Sequence, residues 1–391
     1  MDIERLKSSP AGRLVAITGT DPRRGGHFSH FAFVPEPLPD RIELTQATWN
    51  AVSNAMQSLG KLSQACALLP NPSILIVPSL TQEALSTSAL EGTYGALPDV
   101  LEARLPMAEP KSPEVREIMA YEHMAEEAFR WIKERPVTVG MLCNLQKILA
   151  EATRQPQRDP GKVREHQVII GPEYSTVYDA RFVPPPPGDL LRAGLDDWQQ
   201  WINDDHDLPV VVRAALAHYQ FECLHPFGDG NGRVGRLVII LQLLQAGALS
   251  APSLTISPWL LKRRDEYQDH LLEVSRTGDW NPWVTFFCTA LQEQCDAHVA
   301  VAQQLLDWMT SIRTQLHERH WGGVITKIAE HLIDWPIVTA RFVVDEFKVS
   351  NPTAQHAIDR LVEIGALREM TGRNYRRIFG ATDVMRIVEG L

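Results

Sequence analysis

Between Leu224 and Leu237 the chain reads LHPFGDGNGRVGRL. One imidazole, one carboxylate, one carboxamide and two guanidinium groups share this stretch with glycines at 228, 230 and 232. Glycines at alternate positions let successive backbone N–H groups turn inward as a concave nest. A helix starting directly after such a loop adds the positive end of its dipole, so the combination suits an anion and above all a phosphate chain. Arg233 and Arg236 are three apart and leave one face near that helix start. First turns ordinarily favour acidic residues, so two arginines there make sense with a polyphosphate between them. Asp229 offers a hard oxygen that could hold Mg²⁺ against those phosphates. His225 stands at the loop entrance, where a neutral imidazole could take a proton from an attacking hydroxyl. Each residue taken alone has a blander explanation: a helix cap, turn hydrogen bonds, surface charge. The contiguity of the set favours the anion site.

These groups need two helices to hold them. YQFECL reads as the end of one, and RVGRLVIILQLLQAGAL, apolar on nearly every side, as a central buried helix. Around them the pattern is predominantly helical. Trp49, Val52, Met56, Leu59, Leu62 and Cys66 fall at helical spacing within 45–69. The stretch from Ser73 predicts a helix to about Ser86, then a short helical turn closing at Gly92. Residues 113–153 predict two helices, with Ser112 as N-cap and Glu114 in the first turn. Further helices are expected over 189–205, 209–224, 257–278 and 279–320, with Trp280 and Trp283 in the core. Residues 1–45 read as loop-rich, because FAFVPEPLPDRIEL carries three closely spaced prolines. β-Branched residues flank GPEYST within 163–183, which predicts a β-hairpin and the sole good one in the first 320 residues. From Trp321 the texture becomes three helices and a hairpin around Thr371–Gly372, the pattern of a winged helix-turn-helix.

The totals bound the reading further. A chain of 391 residues predicts two or three domains. A net charge of −10 weighs against non-specific coating of nucleic acid. Cys66, Cys143, Cys223, Cys288 and Cys295 form no CxxC pair, as expected for reduced cytoplasmic thiols rather than zinc ligands. His317 and His320 read as solvated. No run of 18 apolar residues predicts a membrane span, and the N-terminus lacks a signal-peptide pattern. A cytoplasmic location is the expectation.

The 225–236 stretch resembles the signature of the Fic family, HPFx[DE]GNGRxxR. It matches at His225, Pro226, Phe227, Asp229, Gly230, Asn231, Gly232, Arg233 and Arg236. The resemblance implies transfer of AMP from ATP to a protein hydroxyl, with Mg²⁺ as cofactor. It implies His225 as the base, Asp229 as the metal ligand, and Phe227 as the anchor of the loop. Gly230, Asn231, Gly232, Arg233, Gly235 and Arg236 would form the phosphate-binding set. The 163–183 hairpin resembles the family's flap, with His166, Gln167, Val168, Ile169, Ile170 and Gly171 as the edge that docks a target strand. Tyr267 matches a tyrosine of the nucleotide pocket, although Gln268 stands where many members have a second tyrosine. FVPEPLPDRIEL, the 68–93 stretch and the C-terminal region resemble one bacterial multidomain architecture covering essentially the whole chain. Within it TSALEG matches the inhibitory motif [ST]xxxE[GN] through Thr87, Glu91 and Gly92. The resemblance implies that Glu91 pairs with Arg236 and blocks the γ-phosphate.

The resulting expectation is a mainly α protein: a Fic-fold helical core with a β-hairpin flap, plus a C-terminal winged helix-turn-helix domain. The expected division is 1–112 with the inhibitory helix, 113–296 as catalytic core, 297–320 as connecting helix and 321–391 as winged helix. Expected partners are ATP, an unidentified target protein, the chain itself and a second copy of it. The helix SNPTAQHAIDRLVEIG carries one arginine and three acids, poor for phosphate contact. Arg368, Arg373, Arg376 and Arg377 on the wing keep DNA as an alternative, and with it a nucleotide-sensing regulator. An intact base at 225 favours the enzyme, with AMP removal or another phosphate-containing donor as further variants.

Overall fold

The apolar repeat from Trp49 to Cys66 folds as expected into one long helix, and the rest of the chain is likewise mostly helical. The computed structural model describes residues 1–20, 25–69, 71–105, 110–153, 159–172, 175–372 and 377–391. In chain order the elements are α1 (Ile3–Lys7), β1 (Gly12–Thr20), β2 (His27–Pro35), α2 (Gln46–Leu68), α3 (Ser73–Leu90) and α4 (Leu97–Ala103). There follow α5 (Pro113–Trp131), α6 (Val139–Ala152), α7 (Asp189–Asn203), α8 (Val210–Leu224), α9 (Asn231–Gln245), α10 (Ser257–Lys262), α11 (Arg264–Thr277) and α12 (Asn281–Glu318). The C-terminal part holds α13 (Val324–His331), β3 (Ile337–Val338), α14 (Ala340–Phe347), α15 (Asn351–Glu363), β4 (Arg368–Glu369), β5 (Phe379–Gly380) and α16 (Thr382–Val388). Two compact units emerge. One comprises Met1–Gly60, Ala120–Leu249 and Trp259–Gln292; the other comprises Lys61–Met119, Ser250–Pro258 and Glu293–Leu391.

The first unit is organised around α8 and α9. Every residue of α9 from Asn231 to Leu243 is buried, as its all-round apolar sequence requires. α7 packs against α8 and α6 against α9. Two buried tryptophans tie the layers together by donating to carbonyls of α8. Trp198 Nε1 reaches Ala217 O and Trp283 Nε1 reaches Ala215 O, both at 2.9 Å. Trp280 packs edge-on against Tyr219. Trp280, just ahead of α12, and Trp283 within it therefore both serve the core.

Three expectations are corrected here. Residues 1–45 are not loop-rich: β1 and β2 form an antiparallel hairpin from Gly12↔Pro35 to Thr20↔His27. The prolines that argued for a loop begin only at the last residue of β2, where a strand can stop without losing a ladder bond. The 163–183 segment, in contrast, is not a regular hairpin. Among its described residues a single antiparallel bridge, Ile170↔Phe182, joins the limbs; Glu173 and Tyr174 of the expected turn lie outside the described residues. The outer limb bonds elsewhere, because Val183 O accepts the N–H of Phe33 on β2 at 2.9 Å. Ile17 and Ala32 of the β1–β2 hairpin share a buried cluster with Val177, Ala180 and Val183. The Phe33 and Phe182 rings lie 5.6 Å apart. Finally, α3 runs unbroken to Leu90 with Pro78 inside it, rather than stopping near Ser86. Burial of Ser86 to Leu90 holds the last turn helical where local propensity does not.

The second unit contains α3. Its buried Glu83 accepts the N–H groups of Ile256 and Ser257, each at 3.0 Å, and the Ser257 hydroxyl. Ser73, at the start of α3, donates to the carboxylate of Asp334. In the C-terminal part, α14 and α15 follow β3 and precede β4 and β5, and the three strands form an antiparallel sheet ordered β3-β5-β4. Ser350 caps α15 through the N–H of Thr353. Arg368 and Arg377 fall among the described residues; Arg373 and Arg376 lie outside them. No helix among the described residues is long and apolar enough to cross a membrane.

The brace between β2 and the flap is testable. Phe33 is fully buried. Phe33→Ala should cost about 3–5 kcal/mol in urea unfolding. A change of less than 1 kcal/mol would show that the ring carries little of the packing.

Candidate active site

α8 ends at Leu224, and His225 turns the chain in the left-handed conformation, φ 48° and ψ 61°. Its N–H still bonds Phe221 O at 2.9 Å. A non-glycine residue held there stores on the order of 1 kcal/mol or more, so neighbours must enforce it. Pro226 prevents continuation of the helix. Four residues on, Asn231 closes the loop with its carboxamide. Asn231 Oδ1 accepts the Phe227 N–H at 2.8 Å, and Asn231 Nδ2 donates to Phe227 O at 2.9 Å. Phe227 is buried near Phe221, as the anchor role requires. Gly230, at φ 83°, supplies the positive φ from which α9 starts. Gly235 answers to packing: a Cβ there would lie 2.7 Å from Glu222 Oε1 and 2.9 Å from the Phe221 ring.

The outcome is a short, rigid turn with Gly228 and Asp229 exposed and the start of α9 beneath them. Asp229 Oδ1 accepts the Gly230 N–H at 2.7 Å, and its Oδ2 lies 3.4 Å from Arg233 Nη2. Arg233 and Arg236 are both almost fully buried, so their charges are held in low dielectric at the mouth of the turn. His225 Nδ1 lies 3.3 Å from Glu222 O, with the Glu222 carboxylate at 3.9 Å. A carbonyl only accepts, so this contact is a hydrogen bond when Nδ1 carries the proton, and in the neutral ring that tautomer leaves Nε2 the lone pair that a base needs. His218 Nε2 meets the Tyr267 hydroxyl at 2.7 Å, and the rings of His218, Tyr267 and Trp283 cluster with centroids 5.9–6.1 Å apart. Burial, reinforced by Arg236, pushes the His218 pKa down to about 3. A neutral imidazole therefore sits beside Arg236 at ordinary pH. Tyr267 is itself buried and its hydroxyl engaged with His218.

Of the flap residues, His166, Gln167, Val168, Ile169 and Ile170 are half-buried and Gly171 is exposed. The limb runs beside the turn: a Cβ on Gly228 would lie 3.5 Å from the His166 ring. Gln167 Nε2 spans to Pro184 O at 3.0 Å. Among the described residues no backbone hydrogen bond joins Gln167, Val168 or Ile169 to another main-chain segment. In the second unit, Thr87 is buried and Glu91 is the exposed C-cap of α3. Gly92 has φ 90°, and the Thr93 N–H bonds Ser88 O at 2.9 Å while the Gly92 N–H bonds Ala89 O at 3.0 Å. This pair of bonds needs a residue tolerant of positive φ, which explains the glycine after Glu91.

The sequence reading missed four residues of the site: Arg164, Gln146, Glu222 and His218. Gln146 donates to Asp229 O at 3.2 Å and accepts the Gly161 N–H at 2.6 Å. Single polar residues inside helices or loops carry no spacing signal. Glu222 and His218 could have been found as polar breaks in the apolar run of α8.

Residues 136–243 match the profile of the Fic/DOC family, and residues 49–130 match that of the Fic/DOC family N-terminal region. The chain carries a Fic/DOC family domain preceded by that family's N-terminal region. A Fic family protein from Desulfovibrio desulfuricans G20 has the same fold, with a TM-score of 0.56 at 19% identity over 87% of this chain and 97% of its own. A Fic domain containing signaling protein from Bacteroides thetaiotaomicron superposes with a TM-score of 0.50 at 19% identity, over 64% of this chain and 97% of its own. Protein adenylyltransferase Fic of Drosophila virilis is 30% identical over 174 residues, 44% of this chain and 32% of that protein. The Drosophila melanogaster counterpart is 33% identical over 147 residues, 37% of this chain and 26% of its own length. The chain thus spans about a third or less of the curated relatives it matches. The turn that joins α8 to α9 lies within the matched Fic region.

Asp229 suits a magnesium ion as far as one carboxylate can. Its side chain is about half exposed (51%), at the rim of the turn. Among the described residues no group of three or more His, Cys, Asp or Glu could hold a metal. Phosphate oxygens and water would therefore complete the coordination, as is usual for Mg²⁺.

The buried histidine gives a pH prediction. His218 is depressed from 6.5 to about 3, so its protonation favours unfolding. Its stabilising contribution is complete above pH 6.5 and is lost as pH falls towards 3. The urea midpoint should fall across that window, and His218→Gln should flatten the slope. Equal slopes in both proteins would refute the assignment.

Proposed function

We propose that the chain is a protein adenylyltransferase that moves AMP from ATP to a Ser, Thr or Tyr hydroxyl of a target protein or of itself. The observation that carries this reading is the turn from His225 to Arg236. There a base with its lone pair on Nε2 stands next to a helix start furnished with two buried arginines. The names of the Drosophila relatives support the same activity.

In this reading the N–H groups at the start of α9 and Arg233 bind the polyphosphate and keep the α-phosphorus in line with the incoming oxygen. Arg236 holds the γ-phosphate. The flap limb 166–171 pairs with an extended target segment and fixes the register of its hydroxyl. His225 Nε2 takes the hydroxyl proton as the oxygen attacks phosphorus, and pyrophosphate leaves. Magnesium on Asp229 would offset charge on the departing pyrophosphate. Glu91 acts as inhibitor by pairing with Arg236, which removes the γ-phosphate contact and leaves ATP misaligned. A misplacement of about 1 Å costs on the order of a hundredfold in rate.

Two variants test the reading by mass spectrometry of the purified protein after incubation with Mg-ATP. Glu91→Gly should gain AMP adducts faster than the parent; an equal or slower rate would remove the inhibitory role. His225→Ala, placed in the Glu91→Gly background, should lose transfer by about a hundredfold or more while still binding Mg-ATP. Undiminished modification would refute the base.

A further inference from the structure

We propose that Arg164 is a positioning residue whose single buried guanidinium joins the flap to the His225 turn. The docked hydroxyl and the imidazole would thereby share one rigid frame. This rests on the roles given above to the flap and to His225.

Arg164 is buried to 2% exposure. Its Nε donates to His225 O at 2.8 Å, and its Nη2 to Leu224 O at 3.3 Å. Its own backbone N–H bonds Pro226 O at 2.9 Å. The carbonyls of three consecutive residues around the left-handed His225 are thus engaged by one residue. The remaining donors go to the flap: Nη1 to His166 O at 3.1 Å and Nη2 to Pro185 O at 2.7 Å. His166 lies on the first limb of the flap and Pro185 two residues past the end of the second.

The chemistry of the group explains why arginine stands there. A guanidinium presents five N–H donors in one fixed plane, whereas an ammonium is a point donor. Burial pushes its pKa down only to about 10, so it stays charged. Among the described residues no carboxylate pairs with it; carbonyl oxygens solvate the charge. Two of those oxygens, of Leu224 and His225, belong to the α8 C-terminus and the residue just after it, where the helix dipole favours a cation. A cap for α8 would need only the bonds to Leu224 and His225. The bonds to His166 and Pro185 add nothing to the helix end. They fix where the docking edge lies relative to the imidazole.

The test uses the full-length chain with Arg164→Lys, which keeps the charge but not the fork. Hydrogen exchange of residues 165–170 and 225–230 should accelerate together, with α9 and the first turns of α12 unchanged. In the Glu91→Gly background the same substitution should lower the rate of self-modification by about a hundredfold, with Mg-ATP affinity within a few-fold of the parent. Methylguanidine should restore part of the rate to Arg164→Ala. Acceleration in only one of the two segments, or equally throughout the unit, would overturn the proposal, as would lost nucleotide affinity. If Glu91→Gly itself transfers no AMP, the adenylyltransferase reading fails while the exchange measurement still decides the role of Arg164.

Discussion

The reversal between α8 and α9 is the constraint on which the rest depends. A chain leaving one fully buried helix must enter another within six residues, and His225 must take a left-handed conformation that its side chain disfavours. The turn exists because three independent groups over-determine it. Asn231 grips Phe227 from both sides, Arg164 gathers the carbonyls of 224 and 225, and Phe227 is sunk in the core. Strain at one residue is thereby exchanged for a fixed imidazole beside the start of α9.

Charge management follows from the same burial. Arg233 and Arg236 lie at a helix start where a cation is unfavourable, and both are almost out of solvent. Arg164 lies beyond the other helix end, where a cation is favourable. The one buried histidine next to Arg236 is kept neutral by desolvation and by that arginine. Asp229 is the exposed acid at the rim of the turn, 3.4 Å from the buried Arg233.

The second unit carries the candidate inhibitory residue on equally specific supports. α3 is pinned at its start by Ser73 to Asp334 and at its middle by Glu83 to the 256–257 backbone. Its end is set by the bonds of Gly92 and Thr93 to Ala89 and Ser88. The TSALEG stretch is therefore both a helix stop and a presentation of Glu91. The glycine is demanded by backbone geometry alone, whatever Glu91 does.

The sequence by itself determined the parts that depend on contiguous residues. The glycine-rich turn, the helices on either side of it, the buried character of α9 and the helical C-terminal region all follow from local spacing, glycine freedom and apolar periodicity. Tertiary structure decided what depends on partners far along the chain. The β1–β2 hairpin was hidden because prolines just beyond it dominated the local pattern. The flap lost its regular ladder because Val183 bonds Phe33 and because Arg164 binds the carbonyls of His166 and Pro185. Arg164 itself was illegible: an arginine in GKVREHQ looks like any solvated charge until the fold places His225 O and Pro185 O, 61 and 21 residues away, within its reach. Hydrogen-bond satisfaction of buried groups is a property of the assembled chain, and no spacing rule encodes it.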